Sequence, residues 1–140
     1  MNDNKIIGFT CSSFDLLHAG HILMLKDARN QCDYLIVGLQ TDPTIDRPQT
    51  KNEPIQSLEE RKIQLEAVKY IDKIIEYKTE KELYDLLTEI KPDIRILGSD
   101  YINRNFTGND LNIKIYYHER YHYYSSTNLR QKIFSKEEKS

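Results

Sequence analysis

Residues 11–29 read CSSFDLLHAGHILMLKDAR, a polar turn that passes into a helical pattern, with His18 and His21 three apart and Gly20 between them. The apolar run KIIGF (5–9) lies just upstream, so the two imidazoles stand where a strand gives way to a helix. The first backbone N–H groups of a helix are unpaired and sit at the positive end of its dipole, which favours an anion. Gly20 lets a bulky ligand approach the backbone, and Ser12 and Ser13 put hydroxyls in the preceding turn. Zinc fits less well: helical ligand pairs are spaced i, i+4, and no cysteine or carboxylate offers an obvious third ligand, so no metal site is assigned. A lone histidine here would be an ordinary polar residue at a helix start. The pair points to phosphates.

Working outward, five short β-branched-rich runs recur: KIIGF (5–9), YLIVGLQ (34–40), KIIEY (73–77), IRILGSD (94–100) and IKIYYHE (113–119). Stretches with helical spacing separate four of them. Residues 19–31 align Ile22, Met24, Leu25 and Ala28, and residues 58–71 align Leu58, Leu65, Val68 and Ile71 behind a Ser57/Glu60 capping box. Residues 80–90 align Leu83, Leu86, Leu87 and Ile90, and Pro92 stops that helix. A cap and a last helix follow in SSTNLRQKIF (125–134). Strands alternating with helices predict a Rossmann-like, doubly wound α/β sheet of about five parallel strands covered on both faces. Ligands of such sheets bind beyond the carboxyl ends of the strands, here near residues 9, 40 and 99. The loop 41–56 is long and holds three of the four prolines, which marks it as functional.

The chain has 140 residues, a formal charge of −2 and 39% hydrophobic residues. That size suits one domain, 1–134, with SKEEKS (135–140) as a frayed tail, and it buries about two thirds of the unfolded surface. The charge gives no footprint for nucleic acid or an anionic membrane. No apolar run suits a membrane span or a signal peptide. Cys11 and Cys32 form no metal-spaced or redox motif, which suits free thiols in a cytoplasmic protein.

SSFDLLHAGH (12–21) resembles the (G/S)xFDxxHxGH signature of the cytidylyltransferase-like nucleotidyltransferases, the glycerol-3-phosphate cytidylyltransferases in particular. Three further segments are similar to family motifs in the same order: LEERKIQLEAVKYIDKII (58–75), KPDIRILGSDY (91–101) and RYHYYSSTNLRQKI (120–133). The resemblance implies transfer of a nucleotidyl group from a nucleoside triphosphate to a phosphorylated small molecule, with magnesium accompanying the triphosphate and a homodimer as the working form.

By that resemblance His18 and His21 donate to the triphosphate, and the backbone N–H groups of Ser13 and Phe14 hold another phosphate oxygen. Lys51 closes over the phosphates from the long loop, with Arg47 as second choice. Arg61 matches the family's helix arginine, and Gly98 with Asp100 rims the base pocket. Arg120 and the hydroxyls of Ser125, Ser126 and Thr127 form the closing motif, while Asp15 orients the turn. Plainer alternatives are solvated loop charge for Lys51 and Arg47, a surface ion pair with Glu59 or Glu60 for Arg61, an Asx turn for Asp100 and a helix cap for Ser125 or Ser126. The sequence departs from the pattern at Ser12, where a glycine is common, and at Tyr123 and Tyr124, where the closing motif has glycine. Lys78 and Lys81 lack a clear register match to the acceptor-binding lysines of the glycerol-phosphate enzymes. CTP and glycerol 3-phosphate are the first expectation. An adenylyltransferase acting on a sugar or cofactor phosphate is the second, and a non-catalytic nucleotide-binding module the third.

Overall fold

The computed structural model describes residues 4–119 and 124–138. Its elements run β1 (Ile7–Ser12), α1 (Ala19–Asn30), β2 (Tyr34–Gln40), α2 (Leu58–Glu66), β3 (Lys73–Tyr77), α3 (Glu80–Ile90), β4 (Ile94–Gly98), a 3₁₀ turn (Ser99–Tyr101), β5 (Lys114–His118) and α4 (Ser126–Glu138). The strands form one parallel sheet in the order β3-β2-β1-β4-β5. The order reverses between β1 and β4, and there the ends of neighbouring strands splay to leave a crevice.

The two faces carry separate cores. Leu25 and Ala28 of α1 and Leu65 of α2 pack on Leu35, Val37 and Leu39 of β2 with Ile94 and Ile96 of β4. On the opposite face Leu83 and Leu87 of α3 pack on Phe9, Ile36 and Tyr77. Right-handed crossovers require this division, since β1 to β3 advances one way across the sheet and β4 returns the other way. The connection from β4 to β5 contains no α-helix. It crosses the α3 face, where Leu111 and Ile113 join the core.

Three aspartates set the strand starts. Asp33, Asp72 and Asp93 each donate a backbone N–H to a neighbouring strand, at Ile6, Leu35 and Ile7. Their carboxylates accept the backbone N–H of Ile6, Leu35 and Ile7 in return, all at 2.8 Å. The sequence shows this device only as an Asp at the head of three apolar runs.

Several boundaries differ from the sequence reading. β1 continues to Ser12 rather than ending at 9, because Cys11 and Ser12 still pair with Gly38 and Leu39. α2 ends at Glu66, five residues early, since Ala67 to Ile71 turn to deliver Asp72 to β3. β4 stops at Gly98 and passes into the 3₁₀ turn. α4 runs on through Glu138, past the end given to the domain. Among the described residues no helix is long and apolar enough to cross a membrane.

Asp72 also meets Arg29 of α1 at 3.0 Å. Replacing Asp72 with Ala leaves the Leu35 N–H without its acceptor, and the chain should lose about 1–3 kcal/mol of unfolding free energy. The midpoint of a urea titration measures this. An unmoved midpoint would show that the strand-start bonds are interchangeable with water.

Candidate active site

β1 delivers the FDLLH turn into the crevice at the switch point. Phe14 and Leu16 take left-handed backbone angles, φ 51° and 53°, which ordinary side chains avoid. Neither falls at Ser12, so the serine that replaces the family's glycine sits in unstrained backbone. The strained turn is held by Asp15, whose carboxylate accepts the N–H groups of Ile55 and Gln56 at 2.9 Å each and meets Arg130 of α4 at 2.6 Å. Gln56 adds a bond from the Leu16 N–H to its side-chain oxygen at 2.9 Å. Asp15 orients the turn, as its place in the sequence suggested.

His18 is the N-cap of α1. Its Nδ1 accepts the Gly20 N–H at 3.0 Å, and Nδ1 of His21 accepts the His18 N–H at 3.2 Å, a reciprocal cap built from two imidazoles. The rings stack with centroids 3.9 Å apart. A ring nitrogen that accepts a backbone N–H carries no proton there, so each neutral ring bears its hydrogen on Nε2. Both rings line a cavity of about 290 Å³ at the C-terminal ends of β1 and β4. Helix capping thus uses the Nδ1 end of each ring.

The smaller cavity also takes in Ser12, Gly20, Gly98, Asp100, Ser125 and Ser126. A Cβ on Gly98 would stand 2.6 Å from Oδ1 of Asp100, and the exposed carboxylate would have to swing aside to admit it. Ser125 Oγ caps α4 by accepting the Asn128 N–H at 3.0 Å, and Ser126 Oγ donates to the Asp15 carbonyl at 3.1 Å. Thr127 is exposed and lines neither cavity described here. The N–H of Phe14 is turned onto Ser12 Oγ at 3.4 Å, while its ring is buried. Arg120 and Tyr123 lie outside the described residues.

Arg61 requires a correction. It is 2% exposed and donates to the carbonyls of Gln56, Ser13, Gln40 and Thr41 at 2.6–3.2 Å. A guanidinium committed to four carbonyls is a clamp that joins the ends of β1 and β2 to the long loop, and it lines neither cavity. Neither a phosphate ligand nor a surface ion pair describes it. Lys78 and Lys81 are exposed and away from both cavities.

A second cavity of about 600 Å³ adjoins the first and shares Ser12, Met24 and Gly98 with it. Lys51 and Arg47 reach it from the loop 41–56. Desolvation pulls the Lys51 ammonium below its ordinary pKa, and the nearby Arg47 charge adds to that. Arg47 is held by Gln40 Oε1 at 3.1 Å and by Glu80 at 3.4 Å. Desolvation raises the Cys11 thiol, and burial raises the phenols of Tyr77 and Tyr101, so these wall groups stay neutral.

Sequence reading missed four residues of this wall: Gln40, Tyr77, Glu80 and Arg95. Arg95 had a visible signal, since a charged residue interrupted an otherwise apolar strand. Gln40 and Tyr77 end their strands at the same rim, which could also have been read from the α/β pattern. Glu80 had no such mark among the charges of α3. Among the described residues no three His, Cys, Asp or Glu side chains gather as metal ligands would.

Comparison with known proteins bears on the family and the fold. "Bifunctional protein HldE" of Campylobacter concisus is 36% identical over 107 residues, 76% of this chain and 22% of that protein. Its namesake in Acidiphilium cryptum is 37% identical over 102 residues, 73% of this chain and 21% of that protein. The chain therefore spans about a fifth of the length of these curated relatives. The lipopolysaccharide core biosynthesis protein from Thermoplasma volcanium superposes with a TM-score of 0.66 at 29% identity, covering 86% of this chain and 99% of that one. Pantoate-beta-alanine ligase from Francisella tularensis, solved with beta-gamma ATP and beta-alanine, shares the fold with a TM-score of 0.64 at 23% identity, covering 93% of this chain and 67% of that one. The cytidylyltransferase-like family profile matches residues 9–132, nearly the whole α/β unit, and the chain belongs to that family of nucleotidyltransferases.

Proposed function

We propose that the chain transfers a nucleotidyl group from a nucleoside triphosphate to a phosphorylated sugar, releasing pyrophosphate. The observation that carries this is the pair of cavities meeting at Ser12 and Gly98, one lined by the two capping imidazoles and the other by Lys51 and Arg47. The triphosphate lies in the first cavity and the acceptor in the second, so the acceptor phosphate meets the α-phosphorus at their junction. An acceptor oxygen bonds to that phosphorus as the bond to the bridging oxygen breaks, and pyrophosphate leaves with the electron pair. Catalysis here is positioning and neutralisation of charge rather than covalent help. The Nε2–H groups of His18 and His21 donate to phosphate oxygens as negative charge grows, and Lys51 follows from the loop.

Magnesium accompanies triphosphates in such chemistry. Asp100 stands at the rim of the smaller cavity, and this donor set suits a hydrated ion held chiefly by phosphate oxygens and water. When bound, the ion neutralises part of the triphosphate charge.

The acceptor reading shifts from glycerol 3-phosphate to a sugar phosphate on two grounds. The second cavity is large for a three-carbon molecule and falls in the range that encloses far bigger ligands. The solved relative from Thermoplasma volcanium is named for lipopolysaccharide core biosynthesis. For the base, the carbonyls around Gly98 and Ser99 and the carboxylate of Asp100 suit the exocyclic amine that cytosine and adenine carry where uracil and guanine carry a carbonyl.

Pyrophosphate release with each of the four nucleoside triphosphates, magnesium and a panel of sugar phosphates tests the reading. CTP or ATP should support turnover at least about tenfold better than GTP or UTP, the scale of one lost hydrogen bond. Equal use of all four would remove Asp100 and its neighbours from base recognition.

His21→Ala should lower kcat by about 10²–10³, the effect of removing one charge-stabilising donor. The loss of its cap should cost only about 0.5–2 kcal/mol of stability. Full turnover in the folded variant would refute the phosphate role. Lys51→Ala should reduce kcat more than nucleotide affinity, because a loop cation that arrives late acts mainly on the transition state. Parallel losses in both, measured by steady-state kinetics and calorimetry, would contradict late closure.

A further inference from the structure

Arg95 sits in the middle of β4, on the α3 face of the sheet, where its register partners are Phe9 and Ile115. It is 3% exposed. Among the described residues no carboxylate lies within ion-pair distance of it, and its Nε has no hydrogen-bond partner. One Nη donates to the Thr107 carbonyl, the fork reaches the Cys11 thiol, and the guanidinium carbon lies 5.2 Å from the Phe106 ring centre. All of these line the larger cavity. A second buried donor stands on the same wall: Gln40 is 2% exposed, its Oε1 is taken by Arg47, and its Nε2 has no partner.

Burying a charge without a counter-charge is costly, and a leucine would fill a central strand position more cheaply. The other charges of the cavity do not discharge the debt. Glu80 meets Arg47 through Oε1 at 3.4 Å while its Oε2 has no hydrogen-bond partner, and no ion pair joins Glu80 to Arg95; Lys51 is a cation of the same cavity. Arg95 is thus a buried cation of this cavity with no ion-pair partner among the described residues, and Gln40 an amide donor of the same lining with its Nε2 unused.

We propose that Arg95 and Gln40 form a second anion subsite in the larger cavity, and that the acceptor carries a second negative group, a carboxylate or a second phosphate, distant from the phosphate that is nucleotidylated. This rests on the assignment of that cavity to the acceptor. The planar fork of Arg95 suits two oxygens of one anion, and the Gln40 amide supplies a neighbouring donor. The same contacts position the β4–β5 crossover, since Phe106 and Thr107 bear on Arg95. A purely structural latch would affect every acceptor alike, whereas an anion subsite discriminates between acceptors.

Matched pairs separate the two. Calorimetry on the full chain compares glucose 1-phosphate with glucose 1,6-bisphosphate, glucose 1-phosphate with glucuronate 1-phosphate, and glycerol 3-phosphate with 3-phosphoglycerate. In at least one pair the doubly anionic member should bind at least about tenfold tighter, the scale of one charge-assisted hydrogen bond. Arg95→Met should bring that ratio to within about twofold, with nucleotide affinity as the control for the neighbouring cavity. Arg95→Lys keeps the charge without the fork and should retain part of the preference, which serves if the Met variant fails to fold. Absence of preference in all three pairs, or a preference that survives in a folded Arg95→Met variant, overturns the subsite. Pyrophosphate release keeps this apart from the catalytic proposal. A preference that depends on Arg95 without pyrophosphate from any acceptor would sink the catalytic reading alone. Release from singly and doubly anionic acceptors with equal affinity would sink the subsite alone.

Discussion

The carboxylate of Asp15 is the bond on which the site depends. It is 6% exposed, accepts two consecutive N–H groups from the end of the long loop, and meets Arg130 of α4. Three segments far apart in sequence converge on one group: the turn after β1, the loop 41–56 and the C-terminal helix. The turn itself is unfavourable, with two ordinary residues at positive φ, and such a conformation persists only where its surroundings over-determine it. Asp15 and Gln56 provide that determination from one side. Arg61 provides it from the other, by gathering the carbonyls of Ser13, Gln40 and Thr41.

Given a fixed turn, the imidazoles follow. Each accepts one backbone N–H at Nδ1, and this fixes the ring tautomer. The arrangement satisfies two of the orphan donors at the start of α1 and presents ring N–H groups where the helix dipole already favours an anion. Glycine at position 20 contributes its N–H to the same network. The turn, the helix cap and the lining of the smaller cavity thus come from one short segment.

The order of elements and the parallel sheet were legible because apolar runs with period-two or buried character alternate with helical offsets. The place of the histidine pair at a helix start, the Ser57/Glu60 cap and the orienting of the turn by Asp15 were legible as well, since each is a local device written within a few residues. Arg61 was misjudged for the opposite reason. Its four partners come from Ser13, Gln40, Thr41 and Gln56, and most of that convergence exists only after the sheet has formed. The resemblance implied a nucleotide-binding arginine, with a surface ion pair as the plainer alternative, yet the fold closes over it. The lack of a counter-ion for Arg95 in the larger cavity was hidden in the same way. Arg95 read as part of an apolar run, and its isolation from any carboxylate is a fact of three-dimensional packing. Strand ends were misplaced by one to three residues wherever pairing with a neighbour, rather than local apolarity, decides the boundary.

The central claim is that a new diphosphate bond forms between nucleotide and acceptor at the junction of the two cavities. Phosphorus NMR of the chain incubated with CTP or ATP, magnesium and sugar phosphates reads this directly. The account predicts a pair of mutually coupled resonances from a sugar-linked diphosphate, appearing together with pyrophosphate. Consumption of the triphosphate to orthophosphate, with the sugar phosphate signal unchanged across the panel, would contradict it.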